Sequence, residues 1–215
     1  MLQNKRPFLI GITGNIGSGK SSFCRALVSN GLTVFSADNI ARQRLYSPEV
    51  KQKLIERYST SITGEFADGI TIDNAKLANI VFSDPAEIEF LNSLLHPLVL
   101  KDLQDIVDKC TEPVLCFEIP LLIEANLQDC FDYIVMISIP ENLRISRLRE
   151  RGETPEMIKM RLQNQLGDSV KQDRVDYCID NSHSKEQLET TAKHFIETIP
   201  NLPKRTVKPF ISIKN

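Results

Sequence analysis

The chain predicts a three-layer α/β/α fold built on one parallel sheet. Short apolar runs recur at Phe8–Thr13, Thr33–Ser36, Val114–Ile119, Tyr133–Ile139 and Tyr177–Ile179, mostly continuous rather than alternating, as strands covered on both faces read. Stretches with helical spacing fall between them, which is how parallel strands are joined. A glycine-rich segment follows the first run directly, so a ligand site is expected at the carboxyl end of the first strand.

That segment, Gly14-Asn15-Ile16-Gly17-Ser18-Gly19-Lys20-Ser21, fits G-x-x-x-x-G-K-[ST] in full. Glycines let the backbone wind its N–H groups around a polyphosphate. Lys20 can reach the β- and γ-phosphates, and the Ser21 hydroxyl is placed to ligate Mg²⁺. A plain Gly/Ser-rich turn is the competing reading, but a phosphate loop needs a strand before it and a helix after it. Lys20–Asn30 supplies the helix, with Phe23, Ala26 and Leu27 on one stripe and Gly31 as its stop signal. The fold expected is therefore that of a P-loop nucleotide-binding protein, with ATP and Mg²⁺ as the first ligands to test.

The second strand leads into Ser36-Ala37-Asp38-Asn39, an acid at the carboxyl edge of the sheet. Two roles are open to Asp38: orienting an acceptor hydroxyl and taking its proton late in phosphoryl transfer, or N-capping a helix that starts at Asn39. Arg42, four residues on, shares its helical face and suits an anionic substrate group. Residues 39–110 read as mainly helical, including Glu87–Leu95 and Val99–Val107, with a turn or hairpin around Gly64–Asp73. This is the candidate substrate-binding insertion. His96-Pro97 lies inside it, as a structural histidine or a substrate contact.

Glu118 closes the third strand, where P-loop proteins often carry an acid near the metal; a purely structural role is the alternative. Pro120 ends the strand, and Leu121 and Leu122 suit either core or cleft. Residues 141–175 are polar and arginine-rich, with a break at Gly152 and a new helix at Thr154-Pro155, the pattern of a lid. Arg144, Arg147 and Arg151 line one helical face. They suit either charge neutralisation on a transferring phosphoryl group or a solvated face countered by Glu150, and Arg161 follows on the next helix. The tail, 200–215, carries Lys204, Arg205, Lys208 and Lys214 and reads as a surface extension. The expected division is a nucleotide-binding core from 1–38, 111–140 and 176–199, an acceptor-binding region at 39–110, the lid and the tail.

Composition narrows the function classes. The 215 residues carry 26 Lys+Arg against 28 Asp+Glu, a formal net charge of −2, which gives no global basic field for nucleic acid. The 5 cysteines are odd in number and mostly inside apolar runs, so buried free thiols are expected and a zinc site is not; His96, His183 and His194 share no metal spacing. With no run long enough to cross a bilayer, a cytoplasmic protein that uses no membrane is expected. A guanine-specific switch lacks its Asn-Lys-x-Asp element here, with Asp180-Asn181-Ser182 the nearest approach. A partner-coupled ATPase lacks its terminal acidic pair, since Phe117-Glu118-Ile119-Pro120 offers one acid. An arginine-rich lid that excludes water favours a small-molecule kinase, with a nucleoside or nucleoside monophosphate kinase as the runner-up.

At residues 8–182 the chain resembles the dephospho-coenzyme A kinase family. The resemblance rests on Thr13 to Ser22, Ala37-Asp38 with Ala41-Arg42, Leu94-Leu95-His96-Pro97, Ile119-Pro120-Leu121-Leu122-Ile123-Glu124, Arg147 and Arg151, Arg161 with Gln165, and Asp176 with Ile179-Asp180-Asn181. It implies transfer of the ATP γ-phosphate to the ribose 3′-hydroxyl of dephospho-coenzyme A, the last step of coenzyme A synthesis; a monomer or weak homo-oligomer is expected. Asp38 is then the catalytic base, Lys20, Arg147 and Arg151 act on the phosphates, and Gly14 to Ser22 with Asn181 hold ATP. Arg42, His96, Glu118, Leu121 and Leu122 fall to the acceptor. The chain departs from the family pattern at Asn15 (often Gly), Ser22 (Thr), Ser36 (Asp) and Asn74 (Arg), and Gly167–Lys171 lacks the arginines often found there.

Overall fold

A computed structural model describes residues 6–66, 69–81 and 83–213; Lys214 of the sequence reading, and positions 67–68 within the expected Gly64–Asp73 hairpin, lie outside them. In chain order the elements are β1 (Phe8–Thr13), α1 (Lys20–Ser29), β2 (Thr33–Ser36), α2 (Ala37–Leu45), α3 (Pro48–Tyr58), β3 (Thr63–Phe66) and β4 (Gly69–Ile72). They continue with α4 (Asn74–Val81), α5 (Pro85–Lys109), β5 (Val114–Glu118), β6 (Tyr133–Ser138), α6 (Glu141–Glu150), α7 (Pro155–Gln163), α8 (Asp168–Gln172), β7 (Tyr177–Asp180) and α9 (Lys185–Thr198). Backbone contacts divide the chain into two compact units, one running to Ser36 and resuming at Ile106, the other spanning Ala37–Asp105.

The first unit holds the five predicted strands in one sheet, ordered β2-β5-β1-β6-β7, with every neighbouring pair parallel. The chain leaves β1 toward β2 on one side and later crosses to β6 on the other. The carboxyl end of β1 is thus the switch point where ligands of such sheets bind. On one face, Ile10, Ile12 and Val135 pack with Phe23 and Leu27 of α1 and with Leu188, Ala192 and Phe195 of α9. On the other, Gly11 lets the sheet approach the segment after β5: a Cβ there would stand 2.6 Å from Leu122 Cδ1 and 3.2 Å from the Phe131 ring.

The tail differs from the surface extension that its charge suggests. Phe210 is buried, with its ring 5.7 Å from Phe117 and 5.4 Å from Phe131 in tilted contact. The basic residues hold it in place. Arg205 donates its amide to Asp132 at 2.8 Å and pairs with Asp176, and Lys208 pairs with Asp129 at 2.7 Å. Asp132, fully buried, also takes two bonds from Arg6 and the Leu9 amide. Burial alone would push its carboxyl up; the Arg6 pair and the two amides outweigh that and hold it below the usual carboxylate range.

The second unit is helical around the β3–β4 hairpin, with Val50, Leu54, Ile62, Ile72, Leu77 and Val81 as its core. Two expectations change here. The helix expected from Asn39 starts at Ala37, so Asp38 lies inside the first turn of α2 instead of capping it. The two helices expected at Glu87–Leu95 and Val99–Val107 are one, α5, which runs through Pro97. Proline forfeits its own amide bond and crowds the carbonyl four residues back, yet the apolar spacing on both sides keeps the same stripe and the helix continues. Among the described residues no helix is long and apolar enough to cross a membrane.

Candidate functional site: a phosphate loop at the switch point

The loop begins where β1 ends, and its glycines are required by its path. Gly14 has φ +142°, and a Cβ there would lie 2.3 Å from the Ile137 carbonyl oxygen of β6; Gly19 has φ +93°, with Asn181 Nδ2 only 2.1 Å from such a Cβ. Gly19 also opens α1 with no side-chain cap and no acid in the first turn. The positive end of the helix dipole is therefore left without a capping side chain, an arrangement suited to a phosphate. Ser18 is buried at the centre of the loop, its hydroxyl without a protein partner.

Lys20, mostly buried, arches back so that Nζ donates to the Asn15 carbonyl at 3.1 Å. The next residue, Ser21, donates its hydroxyl to Glu118 Oε1 at 2.7 Å. The sheet register explains that contact, since Glu118 lies level with Ile12 of β1 and Ser36 of β2, both of which precede the site. Glu118, grouped from the sequence with the acceptor residues, thus meets the phosphate loop. Ser22 accepts a bond from Arg25 at 2.9 Å. Cys24, behind the loop, is an inert thiol: burial, then the Glu118 charge, push its pKa up.

Three of the predicted residues gather at the loop, from α6, the end of β7 and the segment after α7. Asn181 donates Nδ2 to the Ser18 carbonyl at 2.8 Å, and its own carbonyl accepts from Arg147 Nη2 at 2.9 Å. The Asn181 amide is therefore occupied in shaping the loop. Gln165 accepts the Ile16 amide at 2.9 Å. The three arginines expected to act alike separate. Arg144 is buried and bonded to Asp168 at 2.9 and 3.0 Å, with its stem over Gly17, so it is a packing residue; Arg151, the C-terminal cap of α6, is exposed.

The leucine pair separates too. Leu121 is 42% exposed, whereas Leu122 is 0% exposed under β1, so the expectation that both line a ligand pocket is corrected for Leu122. In the helical unit, Asp38 and Arg42 stand one turn apart on α2, both exposed, and Asp38 comes two residues after the end of β2; His96 is half-buried on α5. Sequence reasoning missed the partnership of Asp168 with Asn15 and Arg144, and that of the fully buried Lys171 with Glu124 at 2.9 Å. A lysine between Val170 and Gln172 gives no local sign that it is buried, because its partner lies 47 positions away along the chain.

Against known proteins, the sequence model of dephospho-CoA kinases matches residues 8–187, which takes in every strand of the main sheet and the phosphate loop. The dephospho-CoA kinase of Deinococcus radiodurans is 38% identical over 187 residues, 85% of this chain and 88% of that protein. Among solved structures, the dephospho-CoA kinase from Campylobacter jejuni aligns with TM-score 0.65 at 26% identity, over 90% of this chain and 97% of that one. The shikimate kinase of Acinetobacter baumannii aligns with TM-score 0.52 at 13% identity, over 92% and 95%, and shares the fold alone. A phosphate loop at the switch point of a five-stranded parallel sheet and a sequence match across most of the chain agree in their implication: this chain belongs to the dephospho-CoA kinase family.

Proposed function

We propose that the chain transfers the γ-phosphoryl group of ATP to the ribose 3′-hydroxyl of dephospho-CoA, giving CoA and ADP. The observation that carries this reading is the loop itself: an uncapped helix start behind positive-φ glycines, with Lys20 and Ser21 as its first residues. The first-turn amides of α1 and Lys20 grip the β- and γ-phosphates. Ser21 and Glu118 bring a hydroxyl and a carboxylate oxygen within 2.7 Å, hard ligands that suit Mg²⁺, which when bound neutralises charge on the phosphates.

In this reading Asp38 orients the ribose hydroxyl and accepts its proton as the new O–P bond forms and the bond to the ADP oxygen breaks. Arg147 and Arg151 stabilise the transferring group. Helices α6–α8 form a lid that excludes water and so protects ATP from hydrolysis. Arg42, His96 and Leu121 hold the acceptor.

Incubation of the purified protein with Mg·ATP and a panel of dephospho-CoA, adenosine, nucleoside monophosphates and no acceptor tests the proposal. Phosphate appearing on the 3′-oxygen of dephospho-CoA alone is the expected result. Transfer to a nucleoside monophosphate, or hydrolysis independent of acceptor, overturns it.

A further inference from the structure

The segment 165–171 is bonded at one end to the phosphate loop and at the other to the residues that follow β5. Asp168 Oδ1 accepts from Asn15 Nδ2 of the phosphate loop and, at 3.0 Å, from Arg144 of α6, whose stem covers Gly17. Asn15 Nδ2 also reaches the Leu166 carbonyl at 3.1 Å, and Gln165 takes the Ile16 amide. Three residues on, Lys171, 0% exposed, donates to the Pro120 carbonyl at 3.1 Å and pairs with Glu124, which in turn accepts the Leu166 amide at 2.9 Å. The same Pro120 carbonyl accepts the Thr13 hydroxyl at 3.1 Å, and Thr13 immediately precedes the loop. The bonds form a closed circuit that starts at Thr13, passes through residues 165–171 and returns at Asn15.

A glycine-rich loop is the part of the protein with the most backbone freedom to lose on binding an anion. A circuit that fixes both sides of its first turn removes that loss before the nucleotide arrives. We propose that Asp168 and Lys171 are positioning residues: they clasp the phosphate loop in its nucleotide-ready shape, so that affinity for ATP and ADP depends on them while affinity for the acceptor does not. The inference rests on the reading of the loop as the nucleotide site. It assigns Asn15 a task that its neighbours in the loop do not share. Its side-chain amide reaches out of the loop to both Asp168 and the Leu166 carbonyl.

Titration calorimetry of the full chain with Mg·ADP, without acceptor, tests the clasp in the parent, Asp168→Ala, Asp168→Asn, Asn15→Ala and the double variant Asn15→Ala/Asp168→Ala. Asp168 is 26% exposed at the side chain, so these variants keep the core, and an unchanged circular-dichroism spectrum checks it. If the clasp keeps the loop competent and its loss leaves about a tenth of molecules competent, Kd rises about tenfold in Asp168→Ala. Asp168→Asn retains an acceptor for Asn15 but loses the negative charge paired with Arg144, and falls between. The double variant should bind no worse than the weaker single one, because both remove the same link. In steady state the KM for ATP should rise with Kd while the KM for dephospho-CoA stays within about twofold. Parent-like Kd in all variants, additive losses, or equal rises in both KM values overturn the clasp and leave the loop reading intact. A parent that takes up no nucleotide overturns the loop reading and, with it, the clasp.

Discussion

The two halves of the proposed reaction are built differently. The nucleotide half is a closed set of hydrogen bonds in which main-chain groups do most of the holding: Ser18, Asn15, Pro120, Leu166 and Asn181 each offer a carbonyl to a side chain. The acceptor half, in the helical unit, offers the ends of side chains from helix surfaces, with Asp38 and Arg42 exposed on α2. Main-chain amides can cradle a phosphate only when the backbone that carries them is fixed. A hydroxyl to be deprotonated needs one well-placed acid. Rigidity should therefore matter on the first side, and single side-chain chemistry on the second.

The widest test of that contrast pairs one substitution from each half. Asp38→Asn should lower kcat about 10²- to 10⁴-fold, the range for loss of a general base, with the Kd for Mg·ATP unchanged. Lys20→Ala should lower kcat/KM by a comparable factor, but with weakened nucleotide binding. Rates together with equilibrium titration separate the two. An Asp38→Asn enzyme with parent kcat removes the base assignment.

Rigidity can be probed from beneath the sheet. Phe210 fills a site against Phe117, the residue before Glu118. Phe210→Ala should cost about 3–5 kcal/mol of stability, the range for a buried aromatic, read as a lower midpoint in denaturant. A change below about 1 kcal/mol would show that the tail is only laid on the surface, as its charge suggests.

Within the loop, Gly19→Ala places a methyl at φ +93° against the buried Asn181 amide. A left-handed conformation costs a side chain roughly 1–2 kcal/mol, so the Kd for nucleotide should rise about five- to thirtyfold from strain alone, with the fold retained. The matching change on the acceptor side, Ala41→Gly on α2, should leave nucleotide binding untouched. Equal effects from the two would erase the distinction between a backbone site and a side-chain site.

Much of the nucleotide half was legible in the sequence because its rules are local. The strands, the loop and the start of α1 follow from runs of three to eight consecutive residues, and the observed β1 and β2 have the predicted bounds. The start of α7 was equally local: Thr154 accepts the Met157 amide and Pro155 takes the first helical position. What stayed hidden depends on distant pairing. Nothing near Arg144 says that it will turn inward to Asp168, 24 positions away, while Arg147, three residues on, bonds the Asn181 carbonyl. The tail was misread for the same reason, since its cations look solvated until Asp129, Asp132 and Asp176 are brought alongside. Leu121 and Leu122 show the limit even for neighbours, because a turn sends adjacent side chains to opposite sides and sequence does not say which.

The smallest expected effect concerns the charged cluster that adds to the apolar core of the helical unit. Arg57 pairs with Glu87 at 2.7 Å and lies 4.1 Å above the Phe90 ring, and the Tyr58 hydroxyl donates to the same carboxylate. Arg57, then Tyr58, lower the Glu87 pKa to about 2, while burial, then Glu87, raise that of Tyr58 to about 12. A carboxylate whose folded pKa is depressed contributes its stability above its unfolded pKa, about 4.3 for glutamate, and loses it as pH falls toward the folded value. The stability gap between the parent and Glu87→Gln should therefore be level above about pH 5 and narrow steadily between about pH 4.3 and pH 2. Hydrogen exchange at the amides of α3 and the first turns of α5 follows it locally, where global unfolding would mix in every other acid. Arg57 is 40% exposed, so solvent and salt screen the pair, and the gap should also shrink in 1 M salt at neutral pH. A gap that ignores both acid and salt would mean that Phe90 and Tyr58 hold α3 to α5 by packing alone.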